Sequence, residues 1–379
     1  MSLHNREIEE RNRGGCSPSR GTPSPGGVPA VMRFGRGPLA VTRSGGGGTC
    51  RQQWRACLSG SWVVQFVVRQ RCRRGWRMSS AGRSGRSRLR ECEKERINQE
   101  EIQGVLSCQK HFQSRHSDIL LVSTPKSGTT WLKAITFSLV NRTTFPDPKH
   151  HPLLTTNPHV LVPFLELDLF IDNENRLPNL SSSCPRLFST HLPYVSLPES
   201  VKSSACKLVY LCRNPKDAFV SLWHFTNRLR PESWGENSME EAFEKFCRGV
   251  SLYGPFWDHS LGYWKESLER PEKVLFLRFE DMKRAPAFYV RKLADFIGCP
   301  FSQEEEAKNV IGNILELCCF ESLSNLEVNK NGKLSSGEEN KAFFRRGEVG
   351  DWVNYLTDEM AEKLDSTVQQ KLHGSGLKF

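Results

Sequence analysis

An α/β fold with a mostly parallel central sheet flanked by helices is what this sequence predicts, on three observations. Four short apolar runs, rich in Leu, Val, Ile and Phe, have the composition of strands buried on both faces. Stretches of more than ten residues with helical spacing separate them, as crossovers between parallel strands require. Finally, Lys126, His191 and Arg213 each follow the end of such a run. Open parallel sheets hold their ligands at that rim.

Residues 102–112 have helical spacing and lead through the polar residues 113–118 into the first strand, Ile119-Leu120-Leu121-Val122. Pro125 and Gly128 punctuate a tight turn, and Trp131, Leu132, Ile135, Phe137 and Leu139 mark an amphipathic helix. Residues 141–163 contain five Pro and read as a loop over the mouth of a site. Residues 185–190 form a second short strand that delivers His191. Residues 207–212 form a third that ends in Arg213-Asn214-Pro215, before a helix over 217–229. The fourth, over 274–279, precedes a helix over 287–297. A single domain over residues 96–379 accommodates all of these elements.

The strand, turn and helix from Leu120 to Trp131 make an anion cradle. The first turn of a helix leaves N–H groups unpaired at the positive end of its dipole. Ser127, Thr129 and Thr130 add hydroxyls and Lys126 a full charge. Because Lys126 precedes Gly128, the order differs from the Walker loop, and a P-loop-like phosphate site of another kind is expected. Among the 13 Cys there is no C-x-x-C pair, and His150-His151 lacks ligand spacing, so reduced thiols and no metal are expected.

The charge divides the chain in two. Residues 1–90 hold 18 Arg, no Lys and three acidic residues, a net of +15, whereas residues 91–379 carry −4. Residues 1–95, rich in Arg, Gly, Ser and Pro, cannot bury enough apolar surface to offset chain entropy, and disorder is expected there. Three readings of this extension stand open: an organelle transit peptide, a nucleic-acid-binding arm, and an extension without function upstream of Met78. Its apolar cluster, residues 62–68, is too short to span a bilayer. The acidic remainder is poorly suited to a phosphate backbone, so neither nucleic acid nor membrane is expected as its partner.

Four segments carry a family resemblance. They are Thr124-Pro125-Lys126-Ser127-Gly128-Thr129-Thr130-Trp131, Ser189-Thr190-His191-Leu192-Pro193, Cys212-Arg213-Asn214-Pro215-Lys216-Asp217-Ala218 with Ser221, and Phe343-Phe344-Arg345-Arg346-Gly347-Glu348-Val349-Gly350-Asp351-Trp352. In this order they resemble the cytosolic sulfotransferases, with wording like that of the plant members, from about Glu101 to Phe379. The resemblance implies sulfuryl transfer from 3′-phosphoadenylyl sulfate to a hydroxyl of a small organic acceptor, without metal, in the cytoplasm. Flavonoids, steroids, hydroxyjasmonate-like acids and desulfo-glucosinolates are the acceptor classes implied.

By resemblance, residues 126–131 hold the 5′-phosphosulfate, with Trp131 against the adenine. Arg213, Ser221 and the Arg345-Arg346-Gly347 turn bind the 3′-phosphate, while Phe279 and Phe320 pack on the adenine. The residue chemistry agrees, since Arg offers a planar fork suited to a phosphate dianion and Ser221 a neutral donor. His191 is the candidate base, because a neutral imidazole can take the proton of an acceptor hydroxyl. Lys126 is the candidate stabiliser of the leaving phosphate.

Phe279 stands where the family usually has Tyr, and Ser189 where many animal members have a second active-site Lys. The animal dimer motif is not reproduced around residues 352–362, so a monomer or weak homodimer is expected. A P-loop kinase is the rival reading; Glu280-Asp281 could hold its Mg²⁺, but the Walker glycine run is missing.

Overall fold

A computed structural model describes residues 101–171 and 185–379, all of them within one compact unit. The extension over residues 1–95, with every reading offered for it, lies outside the described residues. Helix α1, residues 101–111, leads into β1 (Ile119–Ser123), followed by α2 (Thr129–Val140). Strand β2 (Leu187–Thr190) precedes β3 (Lys207–Cys212) and α3 (Pro215–Arg228). Helix α4 (Phe256–Glu269) leads to β4 (Val274–Arg278), then α5 (Phe279–Arg284) and α6 (Pro286–Phe296). Helix α7 (Asp358–Leu372) lies near the C-terminus.

The four strands form one sheet in the order β2-β1-β3-β4, with every pair parallel. Because side chains alternate along a strand, each run feeds two cores. Ile119, Leu121, Val209, Leu211, Leu275 and Leu277 pack with Leu132 and Ile135 of α2 and with Val290 and Leu293 of α6. Their neighbours Leu120, Val122, Phe188, Leu208 and Tyr210 face Val105 and Cys108 of α1 and Tyr263 of α4. Both faces are therefore covered, which is why the strands read as continuous apolar runs rather than alternating ones. The chain leaves β1 toward β2, then crosses back to β3 on the other side. The order thus reverses between β1 and β3, the place where open sheets leave a crevice.

Two expectations need correction. Phe279 does not end the fourth strand but opens α5, with its ring packed edge-on against Trp131 at 5.6 Å. Residues 141–163 are not loop throughout. Short helical turns occupy Pro148–His150, Pro152–Leu154 and Pro158–Leu161, each with Pro in its first turn and a side-chain cap from Asp147, His151 or Asn157. Proline at that point lacks only an N–H that would be unpaired anyway.

Candidate active site

All four strand ends contribute to one cavity of about 630 Å³. Of the residues expected in the site, Lys126, Gly128, Thr129, Thr130, Trp131, His191, Arg213, Ser221, Phe279, Phe320, Arg345, Arg346 and Gly347 line it. Ser127 does not. Its side chain is fully buried, with its hydroxyl 2.6 Å from that of Thr124, so it braces the loop from behind. A second hydroxyl pair, Ser123 with Thr129 at 2.6 Å, ties the end of β1 to the start of α2.

The loop between these pairs is drawn tight. Lys126 has φ of 68°, a left-handed conformation that costs a non-glycine residue about 1 kcal/mol or more. Gly128 has φ of 103°, and a Cβ there would stand 2.7 Å from the Phe279 ring. Gly347 repeats the arrangement, with φ of 68° and the Phe320 ring 2.6 Å from where a Cβ would be. Both glycines let an aromatic ring lie against bare backbone.

The phosphate end is a concentration of cations. The Lys126 ammonium has no carboxylate in ion-pair contact among the described residues; it lies 4.2 Å from the centre of the Phe225 ring. Burial, then the charges of Arg213, Arg345 and Arg228, push its pKa down to about 7. Arg213 donates to the carbonyls of Glu348 (2.5 Å) and Lys126 (3.3 Å), which fixes its fork. Its Nε is buried without a partner, as is that of Arg345. Asp351 meets Arg345 at 2.5 Å and Arg346 at 3.0 Å. Burial works to raise the Asp351 carboxyl, but its hydrogen bond with Arg345 and the two neighbouring charges hold it below its usual value. Asp217, on α3, accepts from the N–H groups of Gly350 (2.8 Å) and Trp352 (3.1 Å) and so seats the Arg345-Arg346-Gly347 turn. Unpaired guanidinium nitrogens beside an uncompensated lysine are suited to an anion.

His191 is held from three sides. Its backbone N–H donates to Glu166 (2.7 Å), its carbonyl accepts from His259 Nε2 (2.9 Å), and its Nδ1 lies 2.7 Å from the Ser123 carbonyl. A carbonyl can only accept, so Nδ1 carries the proton and Nε2 keeps a lone pair on the cavity side. Burial holds the imidazole neutral, with its pKa lowered to about 3 despite the opposing Ser123 hydrogen bond. Glu166 is fully buried, raised to about 7 by that burial. Ser189, at the position where many animal members of the resembled family have a second Lys, turns its hydroxyl onto the Pro163 carbonyl at 3.2 Å.

Sequence reasoning missed His159 and Lys133. His159 follows the Asn157 cap within the proline-rich segment and lines the cavity, so this segment walls the site rather than only covering its mouth. Lys133 is fully buried on α2, its ammonium 3.4 Å from the centre of the Phe164 ring and 3.0 Å from His159 Nδ1. A lysine one turn after Thr130, among the buried residues of an apolar helix, was the available signal.

The far end of the cavity is different in kind. Leu167, Ile171, Leu252, Tyr253 and Leu334 line it together with Glu101, Asp168 and Glu338. Burial and the charge of Glu338 raise the Glu101 carboxyl. Among the described residues no group of His, Cys, Asp and Glu could hold a metal ion, and no helix is long and apolar enough to cross a membrane.

Comparison with known proteins agrees with this arrangement. Residues 116–376 match the sulfotransferase domain model. Cytosolic sulfotransferase 5 of Arabidopsis thaliana is 54% identical over 283 residues, 73% of this chain and 86% of the relative. Cytosolic sulfotransferase 6 of the same plant is 53% identical over 73% of this chain and 85% of its own length. Among solved structures, an Arabidopsis thaliana putative steroid sulphotransferase shares 45% identity with a TM-score of 0.58, over 74% of this chain and 85% of that one. A mouse sulfotransferase complexed with PAP is 27% identical with a TM-score of 0.56, over 73% and 91% of the two chains. Match and site together assign the protein: it belongs to the sulfotransferase family, with the plant cytosolic sulfotransferases among its relatives.

Proposed function

We propose that the protein transfers a sulfuryl group from 3′-phosphoadenylyl sulfate to the hydroxyl of a small organic acceptor, with His191 as base and Lys126 as stabiliser of the leaving phosphate. The observation that carries this reading is the pair of unpartnered buried guanidinium nitrogens, Arg213 Nε and Arg345 Nε, on the same cavity wall as an uncompensated Lys126. A nucleotide with phosphates at both its 3′ and 5′ positions satisfies the two groups at once. Arg213, Ser221 and the Arg345-Arg346-Gly347 turn would hold the 3′-phosphate. Lys126, Thr129, Thr130 and the first N–H groups of α2 would hold the 5′ group, with Trp131, Phe279 and Phe320 against the base.

When bound, the donor supplies a sulfur whose bond to the acceptor oxygen forms as its bond to the 5′-phosphate oxygen breaks. The chain does the rest. His191 Nε2 takes the proton of the acceptor hydroxyl, while the bond of Nδ1 to Ser123 keeps the ring in the correct tautomer and orientation. Burial leaves the free imidazole a weak base, but the negative charge of a bound donor favours the imidazolium and restores its basicity. Lys126 and the dipole of α2 lie where charge builds on the leaving phosphate, in a site drier than water, which makes them effective without reorganisation.

Calorimetric titration tests the assignment without knowledge of the acceptor. 3′-Phosphoadenosine 5′-phosphate should bind far more tightly than adenosine 5′-phosphate, which lacks the 3′ group. Equal affinity for the two would overturn it. The acceptor is then found by screening phenols, flavonoids, steroids, hydroxyjasmonate-like acids and desulfo-glucosinolates with labelled donor.

A further inference from the structure

Thr130 is the hydroxyl of the phosphate loop whose partner comes from the proline-rich segment. Its Oγ1 lies 3.0 Å from His159 Nε2, and the other ring nitrogen of His159 lies 3.0 Å from Lys133 Nζ. The direction of these bonds follows from chemistry. In its ammonium form, which a bound anion favours, Lys133 can only donate, so His159 Nδ1 accepts. His159 is neutral, its pKa well below the usual value because of burial first and then the charge of Lys133. A neutral imidazole that accepts at Nδ1 carries its proton on Nε2, and Nε2 therefore donates to Thr130. The Thr130 oxygen is then occupied as an acceptor, and its own proton has no other partner among the described residues. That proton is free to point into the cavity that Thr130 lines.

Lys133 itself does not line the cavity. It is fully buried behind His159 and Phe164, without a carboxylate in ion-pair contact among the described residues; Asp168 and Glu166 act on it only at a distance. Burial lowers its pKa to about 7, and a bound anion would favour the charged form. A buried lysine is costly, and packing alone would be served as well by Met or Leu. The charge of Lys133 also reaches His191. It is the second cause, after burial among the lowering ones, of the depressed His191 imidazole.

We propose that Lys133 and His159 form a positioning relay that makes the Thr130 hydroxyl a dedicated hydrogen-bond donor to the 5′-phosphosulfate of the bound nucleotide. This rests on the donor-nucleotide reading above. Neither residue touches the reacting atoms in this role. Lys133 fixes the tautomer of His159, and His159 fixes the rotor of Thr130.

The test uses the full chain and two nucleotides, 3′-phosphoadenosine 5′-phosphate and adenosine 3′-phosphate, the second lacking the group that Thr130 would meet. Lys133→Met should weaken the bisphosphate about 10-fold, the value of one hydrogen bond to a charged group, and leave adenosine 3′-phosphate unchanged. Thr130→Val should do the same, and the double variant should be no worse than Thr130→Val alone, because both changes remove one interaction. His159→Gln, which keeps a donor where Nε2 stands, should retain most of the affinity, whereas His159→Phe should lose as much as Thr130→Val. Equal weakening of both nucleotides by Lys133→Met would show that it merely supports the fold, and additive losses in the double variant would overturn the relay. If wild type binds the two nucleotides equally, the donor reading fails, and the relay falls with it. Normal affinity for adenosine 3′-phosphate alongside additive losses removes the relay alone.

Discussion

The two ends of the cavity are built by different rules. At the phosphate end, Lys126 to Trp131, Arg213 to Ser221 and Arg345 to Gly347 arrive as short contiguous segments at strand ends and tight turns. Each is anchored behind the wall, by the Ser123–Thr129 and Thr124–Ser127 pairs and by Asp217. At the other end, which we assign to the acceptor, Glu101 comes from α1, Leu167, Asp168 and Ile171 from a turn after Pro163, and Leu252 and Tyr253 from the loop before α4. A phosphate demands several donors at fixed spacing, and only a few local geometries supply them. An organic acceptor demands volume and a little polarity, which many unrelated residues can provide. One wall is therefore a motif and the other a coincidence of loops.

The sharpest break between the ends lies at His191, which faces both. His191→Ala should reduce turnover with an accepted phenol about 10²- to 10⁴-fold while the affinity for 3′-phosphoadenosine 5′-phosphate stays within a few-fold of wild type. Single-turnover rates beside nucleotide titration check this, and near-normal turnover in a folded variant would remove His191 from the chemistry. Next in size, Arg213→Met should weaken the same nucleotide roughly 10- to 100-fold, as expected for a lost charge-assisted contact, with adenosine 5′-phosphate little affected. Because Arg213 also holds the Glu348 carbonyl, Ser221→Ala is the gentler companion, with a loss of about 10-fold or less in the same titration.

Leu167→Ala probes the opposite end. It should change the acceptor KM by up to about 10-fold and leave nucleotide affinity untouched, because it removes only apolar contact. A parallel change in nucleotide affinity would mean that the two ends are not separable.

The smallest effect is on stability. Lys126 has a folded pKa of about 7 against 10.5 for a free lysine. Below pH 7 both states are charged and the full cost of the buried charge is present. Between pH 7 and 10.5 the folded protein releases a proton that the unfolded chain keeps, so this cost fades as pH rises. Lys126→Met should therefore melt a few degrees higher than wild type at pH 6, with the gap narrowing at pH 9. Thermal melts at the two pH values decide it; a variant that melts lower at pH 6 would contradict the sign.

The same asymmetry governs how much the sequence disclosed. Strands β1 to β4 were legible to within two residues, because strands buried on both faces read as largely apolar runs. Their order was not, since nothing local says that β2 lies outside β1. Phe279 was assigned to a strand end; its true place opening α5 depends on the bare backbone of Gly128, about 150 residues earlier in the sequence. The prolines of residues 141–163 read as loop residues in the sequence, yet three of them begin helical turns, and the context that decides between these outcomes is the cap, not the proline. Twelve of the thirteen cavity-lining residues expected from motifs come from the phosphate end, and His191 is the thirteenth. His159 and Lys133 escaped because their meaning lies in each other, 26 positions apart, and not in any neighbouring residue.

One contact described above also dates the site within the life of the chain. Asp217 grips the backbone of Gly350 from 133 positions away, and that contact seats the turn that carries Arg345 and Gly347. A ribosome delivers the phosphate loop and Arg213 long before that turn is made. During that interval the emerging polypeptide has half of the pocket proposed for the nucleotide, and mass action would lend it correspondingly little stability. Folding of the sheet must proceed on apolar burial alone. On the function proposed above, the donor would stabilise the protein fully only once residues 345–350 have been translated, and the complete chain would resist heat and proteolysis better with nucleotide than without it.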